Sequence, residues 1–281
     1  YDTLIIISIK ILIMPELPEV ETVVKAINKS IESKTINELN IINNKLRWPI
    51  DNQLSVNAKN QDILKIYRRG KHIIFKLTNG YILIHLGMTG IIRYVDKDQK
   101  KKIEKHDHYE IRLKDKNILR YNDVRKFGSI HWSKKMDDHF LIKNLGVEPL
   151  SKDLNVDYMR KIIKNRSVSI KNLIMNQNII VGVGNIYACE SLYLSKIKPQ
   201  RKSSSLSTIE LKKLISNIKL VLKKAIASGG TTLKDFKSLD GSPGYFEQEL
   251  LIYNKDFCKC GKKVMNIKLG GRSSFYCDCQ K

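Results

Sequence analysis

The chain has 281 residues, with 51 Lys and Arg against 28 Asp and Glu and a formal net charge of +23. That length allows more than one hydrophobic core, and the charge favours a polyanionic partner, nucleic acid first, over an acidic one. The five cysteines, four of them from Cys258 onward, argue for a metal site over a disulfide framework. The apolar run Leu4 to Ile13 is broken by Lys10 and is too short to cross a bilayer, so no membrane association is expected. The abundance of Ile, Asn and Lys means that compositional bias could give the same charge, so charge alone does not decide the partner.

The sequence opens on Tyr1, and residues 1–13 are expected to be an upstream leader outside the mature protein. The next stretch is Met14-Pro15-Glu16-Leu17-Pro18-Glu19-Val20-Glu21. If Met14 starts the protein and is removed, Pro15 carries a free secondary amine beside the Glu16 carboxylate. Such an amine can attack an electrophilic carbon and form an iminium, as lysine amines do. Within a chain its nitrogen is an amide and cannot. Val20, Val23, Val24, Ile27 and Ile31 recur at helical spacing, with Pro18 and Glu19 suited to a first turn.

Residues 35–145 read as short strands, among them Asp62–Tyr67, His72–Leu77, Tyr81–Leu86, Gly90–Val95, Tyr109–Leu113 and Ile118–Tyr121. Turn signals such as Thr78-Asn79-Gly80 separate them, the pattern of an antiparallel sandwich. Lys97 to Lys105 is a charged loop. From Lys152 the texture turns helical, over Asp157–Lys164, Ile170–Asn176, Ile186–Ser195 and Thr208–Ser228. Gly182-Val183-Gly184-Asn185 precedes one of these helices. It reads as a phosphate cradle of backbone N–H groups with Asn185 as an added donor, or equally as a plain tight turn. Gly229-Gly230 ends the long helix, and a turn-rich tail from Gly241 runs into the cysteines.

Several longer motifs are specific. They are MPELPEVET at 14–22, RRGK at 68–71, HLGMTG at 85–90, KHDH at 105–108, DVRKFG at 123–128, VGVGNIYACESL at 181–192, DGSPGYF at 240–246 and GGRSSFYC at 270–277. On them the chain resembles the formamidopyrimidine-DNA glycosylases from Met14 to Lys281. The resemblance implies an α+β fold of three parts. A β-sandwich catalytic domain with the N-terminal helix spans 14–145, a helix–two-turn–helix DNA-binding domain 146–239, and a C-terminal β-hairpin zinc finger 240–281. It implies a bifunctional glycosylase and abasic-site lyase acting as a monomer on double-stranded DNA that contains oxidised purines, in a bacterial cytoplasm at the nucleoid. Pro15 is the implied nucleophile and Glu16 its acid–base partner. Lys71 and Arg272 are implied to bind phosphate and assist elimination. Met88, Arg125 and Phe127 fill the gap left by the extruded nucleotide, which suits two apolar wedges and a hydrogen-bonding guanidinium. His106, Arg166, Lys171 and Asn185 are implied DNA contacts, and a loop near Lys234–Tyr245 is expected to cover the lesion.

One structural Zn²⁺ is implied on Cys258, Cys260, Cys277 and Cys279. Here the chain departs from the family, whose pairs are Cys-x-x-Cys; both pairs are one residue shorter, while the sixteen residues between Cys260 and Cys277 keep the family interval. On an extended strand, residues i and i+2 lie roughly 6.6 Å apart, whereas zinc needs sulfurs about 3.8 Å apart. The backbone is therefore expected to fold at Lys259 and Asp278, or the side chains to lean together. Val124 and Lys126 replace the family's usual Pro and Arg, and Cys189 is expected to be buried and inert. Two other readings stay open: an oxidised-pyrimidine glycosylase of the endonuclease VIII type, and a non-catalytic lesion-binding protein if residues 1–13 cap Pro15. Leu17 with Met88, Arg125 and Phe127 favours the purine branch.

Overall fold

The structure, a computed structural model, describes residues 15–98, 102–230 and 246–281. The elements in order are α1 (Leu17–Ile31), β1 (Ile36–Ile41), α2 (Gln53–Ala58), β2 (Ile63–Arg69), β3 (His72–Leu77), β4 (Gly80–His85), β5 (Ile91–Val95), β6 (Asp107–Leu113), β7 (Ile118–Asn122) and β8 (Ser129–Ser133). After them come α3 (Val156–Ile163), α4 (Ile170–Ile174), α5 (Asn185–Ser195), α6 (Thr208–Ala227), β9 (Met265–Leu269) and β10 (Arg272–Tyr276). The six strands and five helices expected from periodicity all form, the ends of the six strands and of the last four helices differing by at most two residues. Five elements lie outside that reading: β1, α2 and β8, and the two hairpin strands β9 and β10, which only the resemblance implied. Helix α2 has six residues and buries only Leu54 and Ala58, too little to show a helical period.

Two four-stranded antiparallel sheets form, in the orders β1-β6-β7-β5 and β2-β3-β4-β8. Their inner faces share one core, built by Ile36 and Leu39 on one side, Ile66, Ile73, Phe75 and Ile84 on the other, and Tyr109 stacked on Tyr121 at 4.9 Å. A second core joins α3, α4, α5 and α6 through Met159, Leu173, Ile186, Leu192, Leu211 and Leu214. Helix α6 starts at a capping box, in which Ser207 and Glu210 each accept from the other's backbone N–H, so its first turn is satisfied locally.

Helix α1 belongs to both cores, and this places the site. Its stripe Val20, Val23, Val24, Ile27 and Ile31 packs in the sandwich, while Leu17 at its start packs in the helical core. The Leu17 N–H donates to the Gly182 carbonyl at 3.2 Å. Residues 15 and 16 are thereby fixed at the junction. An ion-pair cluster ties the same junction: Arg68 binds Glu21 and Glu148, each at 2.8 Å, and Arg69 reaches Glu148 at 3.1 Å. Beyond the helices, β9 and β10 form a separate antiparallel hairpin. Among the described residues, no helix is long and apolar enough to cross a membrane. The expected lesion-covering loop at 234–245 and the leader at 1–13 lie outside the described residues.

Candidate active site and DNA-binding face

A cavity of about 510 Å³ opens at the junction, and Glu16, Lys71, Met88, Asn185, Arg272 and Tyr253 are among its lining residues. Five expected site residues from five separate motifs therefore meet in one space. Pro15 is buried immediately ahead of α1, next to Glu16 in the chain.

Glu16 is 3 % exposed. Its carboxylate accepts from the Gly184 N–H at 2.8 Å and the Ile186 N–H at 3.0 Å, at the start of α5. This corrects one reading of the GVGN turn. Those helix-start amides do not wait for a phosphate; they hold a carboxylate of the protein itself, for the same electrostatic reason. Gly184 has no alternative side chain, because a Cβ there would lie 2.2 Å from Glu16 Cδ. Gly182 adopts φ +85°, and Gln177 clamps the turn by accepting from the Gly182 N–H at 2.7 Å and donating to the Val183 carbonyl at 3.0 Å. Burial, opposed by Lys71 and the two amides, pushes the Glu16 pKa up to about 7. The carboxyl group can thus both give and take a proton near neutrality.

Lys71 sits in the β2–β3 turn, directly after Gly70, whose N–H donates to Glu148 at 2.7 Å. The two arginines of RRGK are spent on that clamp, and the motif's lysine alone reaches the cavity. Burial lowers the Lys71 pKa, while Glu16 and Glu19 oppose the shift. Glu19 is itself buried, accepting from the Glu16 N–H at 2.9 Å and from the Tyr187 hydroxyl at 2.5 Å.

Lys171 requires a correction. Expected as a DNA contact, it is 0 % exposed. Its ammonium donates to Asn185 Oδ1 at 2.5 Å, the Ser273 carbonyl at 2.8 Å and Ser274 Oγ at 2.6 Å. An ammonium has three protons, so none is left for a phosphate. Because Lys171 occupies the amide oxygen of Asn185, the NH₂ end of that half-buried side chain is left as its donor. The same lysine ties α4 to β10, whose first residue is the exposed Arg272.

Arg125 and Phe127 do not line the cavity but form a rim beside Met88, where the Arg125 N–H donates to Thr89 Oγ1 at 3.1 Å; both are exposed and stack on each other, with the guanidinium 4.8 Å from the ring centre. Half-buried Met88 lies in the loop after β4. Asp123, 0 % exposed, joins the two loops from beneath, and sequence reasoning passed over it. It accepts from Thr89 Oγ1, the Arg125 N–H at 3.2 Å, the Gly128 N–H at 2.8 Å and the Tyr121 hydroxyl at 3.2 Å. The His106 carbonyl accepts from the Asp123 N–H at 3.0 Å, which puts half-buried His106 beside the same loop. Arg166 is exposed after α3 and does not line the cavity. Two further residues were missed. Glu190, buried in α5, accepts from the N–H groups of Leu251, Ile252 and Tyr253 at 2.8–2.9 Å, and so holds Tyr253 against the cavity.

The four cysteine sulfurs lie within 4.8 Å of one another, with Cys258–Cys277 at 3.2 Å and Cys260–Cys277 at 3.5 Å. Neither pair is extended. Each lies in a turn, where the Cys260 N–H donates to Cys258 Sγ at 3.3 Å and the Cys279 N–H to Cys277 Sγ at 3.5 Å. The shortened spacing is thus absorbed by the backbone, and the sulfurs fit a tetrahedral metal, which sets them about 3.8 Å apart. Cys189 is buried and its pKa is pushed up to about 11 by burial, an unreactive thiol.

Residues 14–130 match the family model of the formamidopyrimidine-DNA glycosylase N-terminal domain, and residues 145–237 that of the formamidopyrimidine-DNA glycosylase H2TH domain. The chain belongs to the formamidopyrimidine-DNA glycosylase family. It is 45 % identical over 272 residues to the formamidopyrimidine-DNA glycosylase of Haemophilus influenzae (strain 86-028NP), covering 95 % of this chain and 99 % of the relative. Against that of Hydrogenovibrio crunogenus the identity is 44 % over 273 residues, with 95 % and 97 % covered. Among solved structures, the wild-type Lactococcus lactis enzyme bound to a benzylated Fapy-dG containing DNA superposes with a TM-score of 0.85 at 32 % identity, covering 95 % of this chain and 100 % of that one. The same enzyme bound to abasic-site DNA also gives 0.85 at 32 % identity, with 95 % and 99 % covered.

Proposed function

We propose that this protein is a base-excision DNA glycosylase and abasic-site lyase that removes oxidised purines, including formamidopyrimidines and 8-oxoguanine, from duplex DNA. It acts as a monomer in the cytoplasm, at the nucleoid. The observation that carries the reading is the carboxyl group of Glu16, poised near neutrality at the floor of a cavity that also holds Lys71, Asn185 and Arg272.

The chemistry requires a chain that begins at Pro15. Its secondary amine attacks the anomeric carbon of the extruded nucleotide, and the damaged base leaves with the bonding electrons and takes up the proton that the amine gives up. Glu16, whose carboxyl pKa burial pushes up to about 7, supplies the proton that the opening sugar ring oxygen takes up, and its carboxylate form accepts protons in later steps. The iminium acidifies the neighbouring 2′ proton. Loss of that proton expels the 3′ phosphate, and a second elimination expels the 5′ phosphate. Lys71 and Arg272 neutralise phosphate charge as it leaves, Arg272 through its planar fork. Asn185 donates its NH₂ to the backbone phosphate, held in that orientation by Lys171. Met88 and Phe127 wedge into the emptied stack while Arg125 hydrogen-bonds the widowed base. His106 and Arg166 add phosphate contacts.

Cys258, Cys260, Cys277 and Cys279 would hold one Zn²⁺, which when bound cross-links the hairpin that presents Arg272. The test is excision from matched duplexes by protein beginning at Pro15. Faster release of 8-oxoguanine than of thymine glycol is expected; the reverse order would move the protein to the oxidised-pyrimidine branch, and no release of either would leave a lesion-binding protein.

A further inference from the structure

The cysteine turns receive few backbone hydrogen bonds, and helix α5 faces them with side chains that can make up the difference. One amide per pair reaches a sulfur, from Cys260 and from Cys279. Four thiolates around a divalent ion leave two net negative charges to be stabilised by surrounding donors, and such outer donors strongly affect how tightly the metal is kept. Two side chains of α5 point there. Lys196 Nζ donates to Cys279 Sγ at 3.6 Å while lying 4.9 Å over the ring of Tyr193. The Tyr193 side chain, 4 % exposed, packs against Cys258 and Cys277.

The backbone at Lys196 adds an independent sign. It is the residue that ends α5, at φ +61°. The Ile197 N–H bonds the Leu192 carbonyl and the Lys196 N–H bonds the Tyr193 carbonyl, each at 3.0 Å. This is the helix-ending motif whose left-handed position usually holds glycine. A lysine there keeps an unfavourable backbone conformation and directs its ammonium at a sulfur. The C-terminus docks on the same spot: the Lys281 N–H donates to the Lys196 carbonyl and Gln280 Nε2 to the Ile197 carbonyl, at 2.8 and 2.7 Å. The neighbouring Lys198 is engaged by Asp278 at 3.6 Å.

We propose that Lys196 and Tyr193 form a side-chain donor shell that stabilises the thiolates of the shortened Cys-x-Cys centre and slows the loss of its metal. The inference rests on the zinc reading given above. Zinc content of the full chain is measured by elemental analysis, and release is timed against excess chromophoric chelator. Wild type is expected to carry one zinc per chain. Lys196→Gly is expected to release it about tenfold faster, and Tyr193→Phe several-fold faster, while Lys196→Arg, which keeps the charge, stays within about threefold of wild type. The glycine variant separates the donor role from folding, since it relieves the left-handed backbone and is expected to melt, in the metal-free state, no lower than wild type. One zinc in wild type with equal release rates in wild type, Lys196→Gly and Tyr193→Phe would overturn the inference and leave the zinc reading intact. A wild-type chain that takes up no zinc would overturn both.

Discussion

Glu16 at the cavity floor and Asp123 beneath the rim loop are both carboxylates removed from solvent, at 3 % and 0 % exposure, yet they serve opposite ends. Asp123 is surrounded by donors from two loops and two side chains, and it fixes the backbone from which Arg125 and Phe127 project. Glu16 has two amides for its carboxylate, and burial prevails over them, so its proton is exchangeable near neutrality. A buried acid becomes scaffold when its donors are plentiful and becomes an acid–base group when they fall short of its desolvation. The residues proposed to act on DNA, directly or by holding one that does, differ in the same way: Glu16 and Lys171 are buried and interlocked with distant backbone, whereas Arg125 and Phe127 are exposed.

The sharpest break of that contrast is Gly184→Ala. The added Cβ would collide with the Glu16 carboxylate, and we expect turnover to fall by about 10²–10³, in line with loss of a general acid–base group. Single-turnover excision checks this; a fall under tenfold would mean that the carboxylate does not need its seat. Next is the pH dependence of stability. Glu16 holds its proton more tightly folded than unfolded, so it favours the folded state at acid pH. That contribution is lost as pH rises from 4.5 towards 7, by about 3 kcal/mol in total. Denaturant melts of the full chain and of Glu16→Gln should diverge over that window, the variant lacking the decline; parallel curves would contradict the burial effect.

Asp123→Asn is expected to cost about 2–3 kcal/mol of stability, because an amide cannot serve every donor around it and leaves some buried and unsatisfied. The change should appear as a lower melting temperature together with weaker lesion-duplex binding. The smallest expected effect on the fold is that of Phe127→Ala, within about 0.5 kcal/mol for an exposed side chain, with excision slowed nonetheless. If that variant melted well below wild type, the rim could not be regarded as independent of the fold.

Much of this was legible in the sequence, for identifiable reasons. The periodicity of Val20 to Ile31 gave α1, and alternation with turn signals gave six of the eight sandwich strands. Pro15, Glu16, Lys71, Asn185 and Arg272 stood out because each sits in a long ordered motif. What escaped were side chains whose role depends on distant backbone. Asp123 lies inside a recognised motif, but nothing local says that its carboxylate caps two loops. Gln177 clamps a turn five residues away, and Glu190 binds amides some sixty residues on. Lys171 was expected as a DNA contact from the resemblance, and nothing in the sequence signals its burial until its three acceptors, two of them about a hundred residues away on β10, are brought together. Of the two readings of the GVGN turn, the phosphate cradle had the right physics, amides at a helix start, but the anion those of Gly184 and Ile186 hold is Glu16.

The most direct measurement of the central claim is borohydride trapping on a duplex carrying 8-oxoguanine opposite cytosine, using protein that begins at Pro15. The account predicts a covalent protein–DNA band that disappears when residues 1–13 precede Pro15, because the nitrogen is then an amide. A folded protein beginning at Pro15 that gives no band, or a band that persists with residues 1–13 in place, would contradict it.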